Sequence, residues 1–140
     1  MNKVKNLEVY EGMLIVVDMV RGFVEEGVLH DKNIKKIIPR QIEIIKEAHN
    51  HGDLVVFVKD THDVDAVEFK RFGNVSHCVK NTSEAELVDE LKPYETLDDT
   101  VSIEKNSTSF MEAPEFRKIV KKATNIETVK TVNKLDKEKS

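Results

Sequence analysis

Three short apolar runs, each ending at an ionisable residue, dominate the pattern of hydrophobic positions along the chain. The first strand is predicted over 12–18, where the run Leu14–Val17 ends at Asp18, and the second run, Leu54–Val58, is followed by Asp60. The third, Val101–Glu104, alternates apolar and polar residues and ends at Lys105. Unbroken apolar runs rich in β-branched residues are typical of strands that are buried on both faces of a parallel sheet. A weaker fourth strand is predicted over Ile126–Val132.

Between the first two runs, apolar residues recur at steps of three and four from Ile34 to Asn50. This spacing predicts an amphipathic helix. Pro39 suits the first residue of its main part, because proline lacks the N–H that a first helical turn leaves unpaired. Gly52 is expected to end the helix in a left-handed conformation. The connections over 19–33 and 61–81 are long for structureless loops and are therefore candidates for function.

Two further helices are predicted in the second half of the chain. Ser83, with a glutamate three residues later, has the pattern of a capping box and predicts a short helix through Leu91 that Pro93 closes. Pro114 begins another helix, whose apolar residues are Phe116, Ile119 and Val120.

The resulting alternation of strands and helices predicts an α/β fold with a parallel sheet and right-handed crossovers. The carboxyl ends of parallel strands lie at one edge of a sheet, which is where open α/β sheets bind ligands. Asp18, Asp60 and Lys105 are therefore expected to converge there. This convergence is the strongest purely physical indication of a site in the sequence.

Composition narrows the classes of protein. The chain has 140 residues, enough for one domain with a real core, and 39% are hydrophobic and 34% charged. A net charge of -4 argues against a general nucleic-acid binder. No apolar run approaches a membrane span and no secretory leader is present, so no membrane partner is expected. The single cysteine, Cys78, excludes an internal disulfide and fits a cytoplasmic location.

Two sets of residues carry candidate chemistry. Asp18 and Lys105 are expected to form a carboxylate–ammonium pair, which fits either a general base with electrostatic support or an ion pair that stabilises the sheet edge. Asp60 and His62, with His77 further along, offer ligands suited to a zinc-class divalent ion, although this spacing alone is a weak signal. Cys78 is expected to be structural. The neighbouring His77 is no evidence that the thiol is activated, since the side chains of adjacent residues on an extended segment point apart.

Four segments together resemble the nicotinamidase branch of the nicotinamidase/isochorismatase-like cysteine hydrolases. Asp18–Gly27 resembles the first family motif, Asp60–His62 its D-x-H element, and His77–Leu87 its H-C-V-x-x-T-x-x-A-E-L stretch. Glu104–Phe110 resembles its K-x-x-x-S-x-F motif. The resemblance runs in order through about residues 12–129 and implies a three-layer, doubly wound α/β fold.

The resemblance also implies roles for individual residues. The family cleaves amides, or in some branches an enol ether, and its amidases use an Asp–Lys–Cys triad. Asp18 is then the base that activates the thiol, Lys105 its electrostatic support, and Phe23 a stacking surface for a flat substrate. The residues that match the metal ligands are Asp60, His62 and His77, with Glu68 as a fourth candidate. The cofactor expected is a divalent metal, zinc first, the substrate nicotinamide or a similar small amide, and the context NAD metabolism.

The chain departs from the family pattern after the fourth strand. The family's nucleophile lies there in a Gly-x-Cys-Thr-type turn that also forms the oxyanion hole, whereas this chain reads Asn133–Ser140 with no cysteine. The sequence therefore predicts a partial hydrolase domain over 1–132 with a polar tail over 133–140, lacking the C-terminal third and the nucleophile. An inactive amidohydrolase is expected, with an uncovered apolar sheet face that favours homo-oligomers. The alternatives are a metal- or ligand-binding pseudoenzyme and an interaction module that uses the exposed face.

Overall fold

The computed structural model describes residues 3–26, 30–60, 78, 82–105 and 110–133. In these residues four strands are present: β1 (Gly12–Val17), β2 (Leu54–Asp60), β3 (Thr100–Lys105) and β4 (Thr128–Asn133). The α-helices are α1 (Arg21–Val24), α2 (Ile38–His51), α3 (Lys92–Glu95) and α4 (Pro114–Lys122). Short 3-10 helices occupy Leu7–Val9, Lys32–Ile37, Ser83–Ala85 and Phe110–Glu112.

The four strands form one parallel sheet in the order β3-β2-β1-β4. β1 lies between β2 and β4, and its burial explains why Gly12–Val17 is an unbroken apolar run: all six of its residues are buried. The predicted fold class, an α/β fold built on a parallel sheet, is confirmed.

Two apolar clusters cover the two faces of the sheet and make the fold three-layered. On one face, Leu14 and Val16 of β1 pack with buried residues of α1 and α2. On the other face, Met13, Ile15 and Val17 pack with Tyr10 and with α4. The side chains of β1 therefore alternate between the two clusters, as the period of a strand requires.

The predicted limits of the long helix are confirmed. Pro39 lies in the first turn of α2, and Gly52 follows it with φ 85 in the left-handed region. The N–H of Gly52 donates to the carbonyl oxygen of His49, so the helix ends in a turn that glycine adopts without steric cost. α2 packs against β1 and β2.

The capping-box prediction at Ser83 is wrong. The structure has only a 3-10 helix over Ser83–Ala85, and its N-cap, Thr82, makes no side-chain capping bond. The hydroxyl of Ser83 donates instead to a carboxylate oxygen of Glu26. The side chain that would have capped the helix is therefore engaged in a tertiary hydrogen bond. The helix that follows is Lys92–Glu95, with Pro93 in its first turn, so Pro93 opens a helix where the pattern predicted that it closes one.

β4 is an exposed edge strand, and its first four residues are all exposed. β4 reads Thr-Val-Lys-Thr-Val-Asn, and of its two valines only Val129 is exposed, at 55%. The uncovered apolar face expected from the sequence stays a prediction. The strand begins at Thr128, two residues later than predicted. The predicted tail from residue 134 onward lies outside the described residues.

Candidate active site at the carboxyl edge of the sheet

Lys105 joins the carboxylates of Asp18 and Asp60 at the carboxyl ends of three strands. Its Nζ lies 3.0 Å from Asp18 Oδ1 and 3.2 Å from Asp60 Oδ1. All three residues are buried, with exposures of 7% for Asp18, 3% for Asp60 and 4% for Lys105. The convergence predicted from the strand ends is therefore observed.

The register of the sheet explains this meeting. Asp60 pairs directly with Lys105 across β2 and β3, and Val17, the residue before Asp18, pairs with Val58. Asp18 then leaves the strand with φ 61, in the left-handed region, while its N–H donates to the carbonyl oxygen of Val58 over 3.0 Å. A left-handed residue other than glycine is uncommon, and aspartate is among the types that tolerate it. Such conformations cluster at functional sites, which adds a local signal that the sequence pattern did not contain.

The two carboxylates set the protonation state of Lys105. Burial by itself would lower the pKa of Lys105, but the negative charges of Asp18 and Asp60 outweigh it and hold the pKa above its ordinary value. Lys105 is therefore an ammonium at neutral pH. The contacts with Asp18 and Asp60 thus hold the proton on Lys105, and its ammonium in turn stabilises the two carboxylates.

The end of β4 lies beside Asp18. Asn133, the last residue of β4, pairs with Val17 of β1. A group placed directly after β4 would thus lie at the same edge of the sheet as the Asp18–Lys105 pair. In this sequence the residue at that position is Lys134.

Phe23 lies in α1, immediately after β1, and is 7% exposed. Its side chain belongs to the cluster that contains Leu14, Ile34 and Ile37. The ring thus packs in the core cluster that lies against α2. Its assignment to the substrate remains a prediction.

α1, which contains Phe23, and the residues just before it contact residues 82–89. An antiparallel bridge joins Val20 to Leu87, and the N–H of Arg21 donates to the carbonyl oxygen of Glu86 over 2.8 Å. The guanidinium of Arg21 contacts Glu25, Glu26 and Asp89 at 3.3, 3.4 and 3.1 Å. Local spacing in the sequence does not indicate the contact of Arg21 with Asp89, which lies 68 residues further along the chain.

Cys78 is fully buried, at 0% exposure, in the same cluster as Phe23. A Cβ built on Gly22 would lie 2.7 Å from Cys78 Sγ, so the thiol packs directly over that glycine. Cys78 has φ 47, and its N–H points to Oε1 of Glu84 over 3.5 Å. These contacts fit the predicted structural role and place the thiol in the core.

Three of the four predicted metal ligands, His62, Glu68 and His77, lie outside the described residues. Asp60 is the described one, at the end of β2. Within the described ranges, no group of three or more His, Cys, Asp or Glu side chains is arranged to hold a metal ion.

No helix in these ranges is long and apolar enough to cross a bilayer.

Residues 12–132 match the isochorismatase domain family, and the chain therefore belongs to that family. A probable inactive nicotinamidase from Arabidopsis thaliana is 38% identical over 86 residues, which cover 56% of this chain and 44% of that protein. The chain thus spans less than half the length of this curated relative.

Two solved structures share the fold. N-carbamoylsarcosine amidase from Thermoplasma acidophilum superposes with a TM-score of 0.73 at 28% identity, over 88% of this chain and 67% of that one. Pyrazinamidase of Pyrococcus horikoshii, solved in complex with zinc, has a TM-score of 0.70 at 30% identity, over 88% of this chain and 70% of that one. These relatives are hydrolases, and they define the class to which the fold belongs.

Proposed function

We propose that this chain is a nicotinamidase-like protein which retains the base and its electrostatic support, binds a divalent ion, and does not itself hydrolyse amides. The observation that carries the proposal is the buried ammonium of Lys105 between Asp18 and Asp60. In this interpretation, the sheet edge of the 140-residue chain is a ligand site.

Asp18 is the proposed base. Its carboxylate lies at the sheet edge next to the end of β4, in contact with the ammonium of Lys105. A carboxylate in this position can accept a proton from a thiol or a water on the neighbouring strand end, provided that the donor comes within hydrogen-bond reach. Lys105 would stabilise the negative charge on Asp18 before that transfer and orient the carboxylate.

The proposed ligand is nicotinamide or a similar small amide. This proposal is supported by the similarity of the chain to a probable inactive nicotinamidase, a pyrazinamidase and an amidase. Phe23 is the proposed stacking residue, which requires that its ring, buried in the core cluster here, presents one face to the ligand. Because a hydrogen-bonding pocket rejects analogues that lack a polar group, nicotinamide should bind more tightly than benzene-based amides if the ring nitrogen is recognised.

The donor set fits a zinc-class ion. Asp60 supplies a carboxylate at the end of β2, an oxygen ligand of the kind that a zinc-class ion accepts. His62 and His77 supply imidazole nitrogens, and Glu68 is the fourth candidate. The ion, when bound, would attract the ring nitrogen of a pyridine carboxamide.

The proposed lack of hydrolysis rests on the thiol. Cys78 is the one cysteine in the 140 residues, and it is buried against Gly22 in the core cluster. Thioester chemistry needs the nucleophile, the base and the oxyanion donors to act together, and such groups are strongly non-additive. A site with Asp18 and Lys105 but no accessible thiol would therefore bind without turning over.

Calorimetric titration of the 140-residue chain with zinc tests the binding half of the proposal. We expect about one equivalent to bind, as a mononuclear site requires, and the His62→Ala variant to lose it. His30→Ala is the matched control, because His30 is exposed and outside the proposed donor set, and it should bind as the wild type does. Equal binding by the wild type and by His62→Ala would refute His62 as a ligand.

A further inference from the structure

Asp18 lies between two segments whose backbones are both held by hydrogen bonds. On its N-terminal side β1 pairs with β2, and the N–H of Asp18 itself donates to the carbonyl oxygen of Val58 over 3.0 Å. On its C-terminal side the chain turns at Asp18, with φ 61, and residues 19–21 run antiparallel to residues 86–88. We call this second pairing the short ladder. A left-handed conformation is unfavourable for a residue with a Cβ and persists only where surrounding contacts hold it, so the short ladder bears directly on Asp18.

Two backbone hydrogen bonds define the short ladder. The N–H of Arg21 donates to the carbonyl oxygen of Glu86 over 2.8 Å. The N–H of Val88 donates to the carbonyl oxygen of Met19 over 3.1 Å. The ladder side chains that are buried in the core cluster are Met19, Val20, Leu87 and Val88. This burial holds the ladder against the core, but the hydrophobic effect has no direction, so burial alone specifies the angle between the ladder and β1 only loosely.

Arg21 lies at the outer end of the short ladder, where the apolar burial stops. Its guanidinium contacts the carboxylates of Glu25, Glu26 and Asp89 at 3.3, 3.4 and 3.1 Å. Each of these carboxylates also has a partner on a further segment of the chain. The partners are Lys35 for Glu25, the hydroxyl of Ser83 for Glu26 and Lys92 for Asp89. Arg21 therefore joins the two sides of the short ladder, because Glu25 and Glu26 belong to one side and Asp89 to the other.

The chemistry of arginine suits this position. The planar guanidinium presents five N–H donors in fixed directions, so it can hold several carboxylates in a set arrangement. The side chain of Asp89 is 64% exposed, so its contact with Arg21 would contribute little by itself. The side chains of Arg21 and Glu25 are only 23% and 16% exposed, and salt screens such a pair less. Because the contacts form one network, they are more effective together than single surface pairs.

We propose that Arg21 is a positioning residue for Asp18. Its ion pairs fix the short ladder, and the short ladder fixes the direction in which the carboxylate of Asp18 meets the ammonium of Lys105, 3.0 Å away. Arg21 acts through the backbone of residues 18–21 and has no proposed contact with the ligand. The proposal rests on the proposed function in treating Asp18 as the base, but the contacts that carry it involve no ligand.

Carbon NMR of the full 140-residue chain tests the proposal through the side-chain carboxyl carbon of Asp18, a signal that Asp18→Asn assigns by its loss. Arg21→Gln removes the positive charge, whereas Asp89→Asn removes the negative charge of one partner and leaves Arg21 in place. If the ion pair positions Asp18, both substitutions loosen the short ladder and should displace the signal in the same direction. If only the electric field of these charges reached Asp18, the two substitutions would displace the signal in opposite directions.

Hydrogen exchange gives a second readout. The amide of Val88 reports on the short ladder, and the amide of Val55, which donates to the carbonyl oxygen of Asp99 over 2.9 Å, reports on the sheet. Arg21→Gln should lower the protection of Val88 about tenfold more than that of Val55, the effect of losing a network of partly exposed ion pairs. Arg21→Lys keeps a positive charge and should recover part of this protection.

Arg40→Gln is the matched control. Arg40 forms an exposed ion pair with Glu43 on α2, at 2.8 Å, so the substitution removes the same kind of group away from the short ladder. It should leave the carboxyl signal of Asp18 and the ratio of the two protection factors unchanged. Circular dichroism verifies that each variant folds.

Either of two results would overturn the proposal. The first is that Arg21→Gln and Asp89→Asn displace the Asp18 signal in opposite directions or leave it where it is. The second is an equal loss of protection at Val88 and Val55, since Arg21 would then add only to global stability. Displacement in one direction, with the extra loss of protection at Val88, would support the proposal. Neither readout includes a ligand, so a failure of zinc or nicotinamide to bind would refute the proposed function and leave the positioning role standing.

Discussion

The ammonium of Lys105 lies 3.0 Å from the carboxylate of Asp18, and both side chains are almost completely buried. Breaking a buried ion pair by removing one partner is costly, because an uncompensated charge stays behind in a poorly solvated place. Here the cost is increased by Asp60, whose Oδ1 is 3.2 Å from the same nitrogen. Lys105 therefore stabilises the sheet edge whether or not the site performs chemistry.

Replacing Lys105 with methionine keeps most of the side-chain volume and removes the charge. We expect Lys105→Met to lower the free energy of unfolding at pH 7 by about 3–5 kcal/mol, the range for buried pairs that lose one partner. Urea denaturation measures it. Lys118→Met is the matched control, since Lys118 lies on the exposed side of α4, and it should change stability by less than about 0.5 kcal/mol. A loss no greater than that of the control would contradict the proposed electrostatics.

Stability should also depend on Lys105 in alkaline solution. Because the folded pKa of Lys105 is raised, the native state keeps a proton that the unfolded state releases, and stability falls as the pH rises from about 10.4 through the folded pKa. Below that window the contribution is fully present. Lys105→Met should lack this part of the decline, so denaturation curves of the wild type and the variant should converge as the pH rises. Parallel curves would show that the pKa of Lys105 is the same in both states.

Tyr10 is a second group whose ionisation can be followed at alkaline pH. Burial, followed by the hydrogen bond that Tyr10 donates to Asp99 over 2.6 Å, raises its pKa to about 12. Ultraviolet titration of the native chain should show a tyrosine that ionises near that pH, and Tyr10→Phe should remove it. The chain has two tyrosines, so Tyr94→Phe is the control and should retain the late component. Loss of that component in Tyr94→Phe would contradict the assignment.

The thiol of Cys78 packs directly over Gly22 and leaves no space for a side chain at that position. A Cβ at this position would lie 2.7 Å from Cys78 Sγ and 3.0 Å from the backbone oxygen of Glu84. We expect Gly22→Ala to destabilise the fold by about 1–3 kcal/mol through overpacking. In a Cys78→Ala background the cost should be smaller, because one of the close contacts is gone, and thermal or urea unfolding of the four proteins measures the coupling.

Gly52→Ala is the control for this cycle. Gly52 has φ 85 with nothing within 4 Å of an added Cβ, so its substitution strains the backbone without a steric contact. The cost of Gly52→Ala should be the same in the wild-type and Cys78→Ala backgrounds. If Gly22→Ala is equally additive with Cys78→Ala, the thiol does not pack over Gly22.

The parallel sheet and its polar edge could be predicted because they depend on local patterns. The buried strands β1 and β2 correspond to unbroken apolar runs, β3 to an alternating one, and the ends of these three predicted strands indicate Asp18, Asp60 and Lys105. The limits of α2 followed from Pro39 and Gly52, whose backbone preferences act within one turn.

What the sequence pattern missed depends on tertiary contacts. Ser83 has the local chemistry of an N-cap, yet its hydroxyl bonds to Glu26, far away in the chain. The ion pairs of Arg21 with Asp89 and the left-handed backbone of Asp18 are likewise properties of the assembled fold.

Ammonia release from nicotinamide by the zinc-loaded 140-residue chain tests the central claim most directly. The claim is that the base and its support are present while an accessible nucleophile is not. We predict no release above the buffer rate at any nicotinamide concentration, and no change with Cys78→Ala or Asp18→Asn. Saturable release that either substitution abolishes would contradict the account, and loss with Cys78→Ala would identify the buried thiol as the nucleophile.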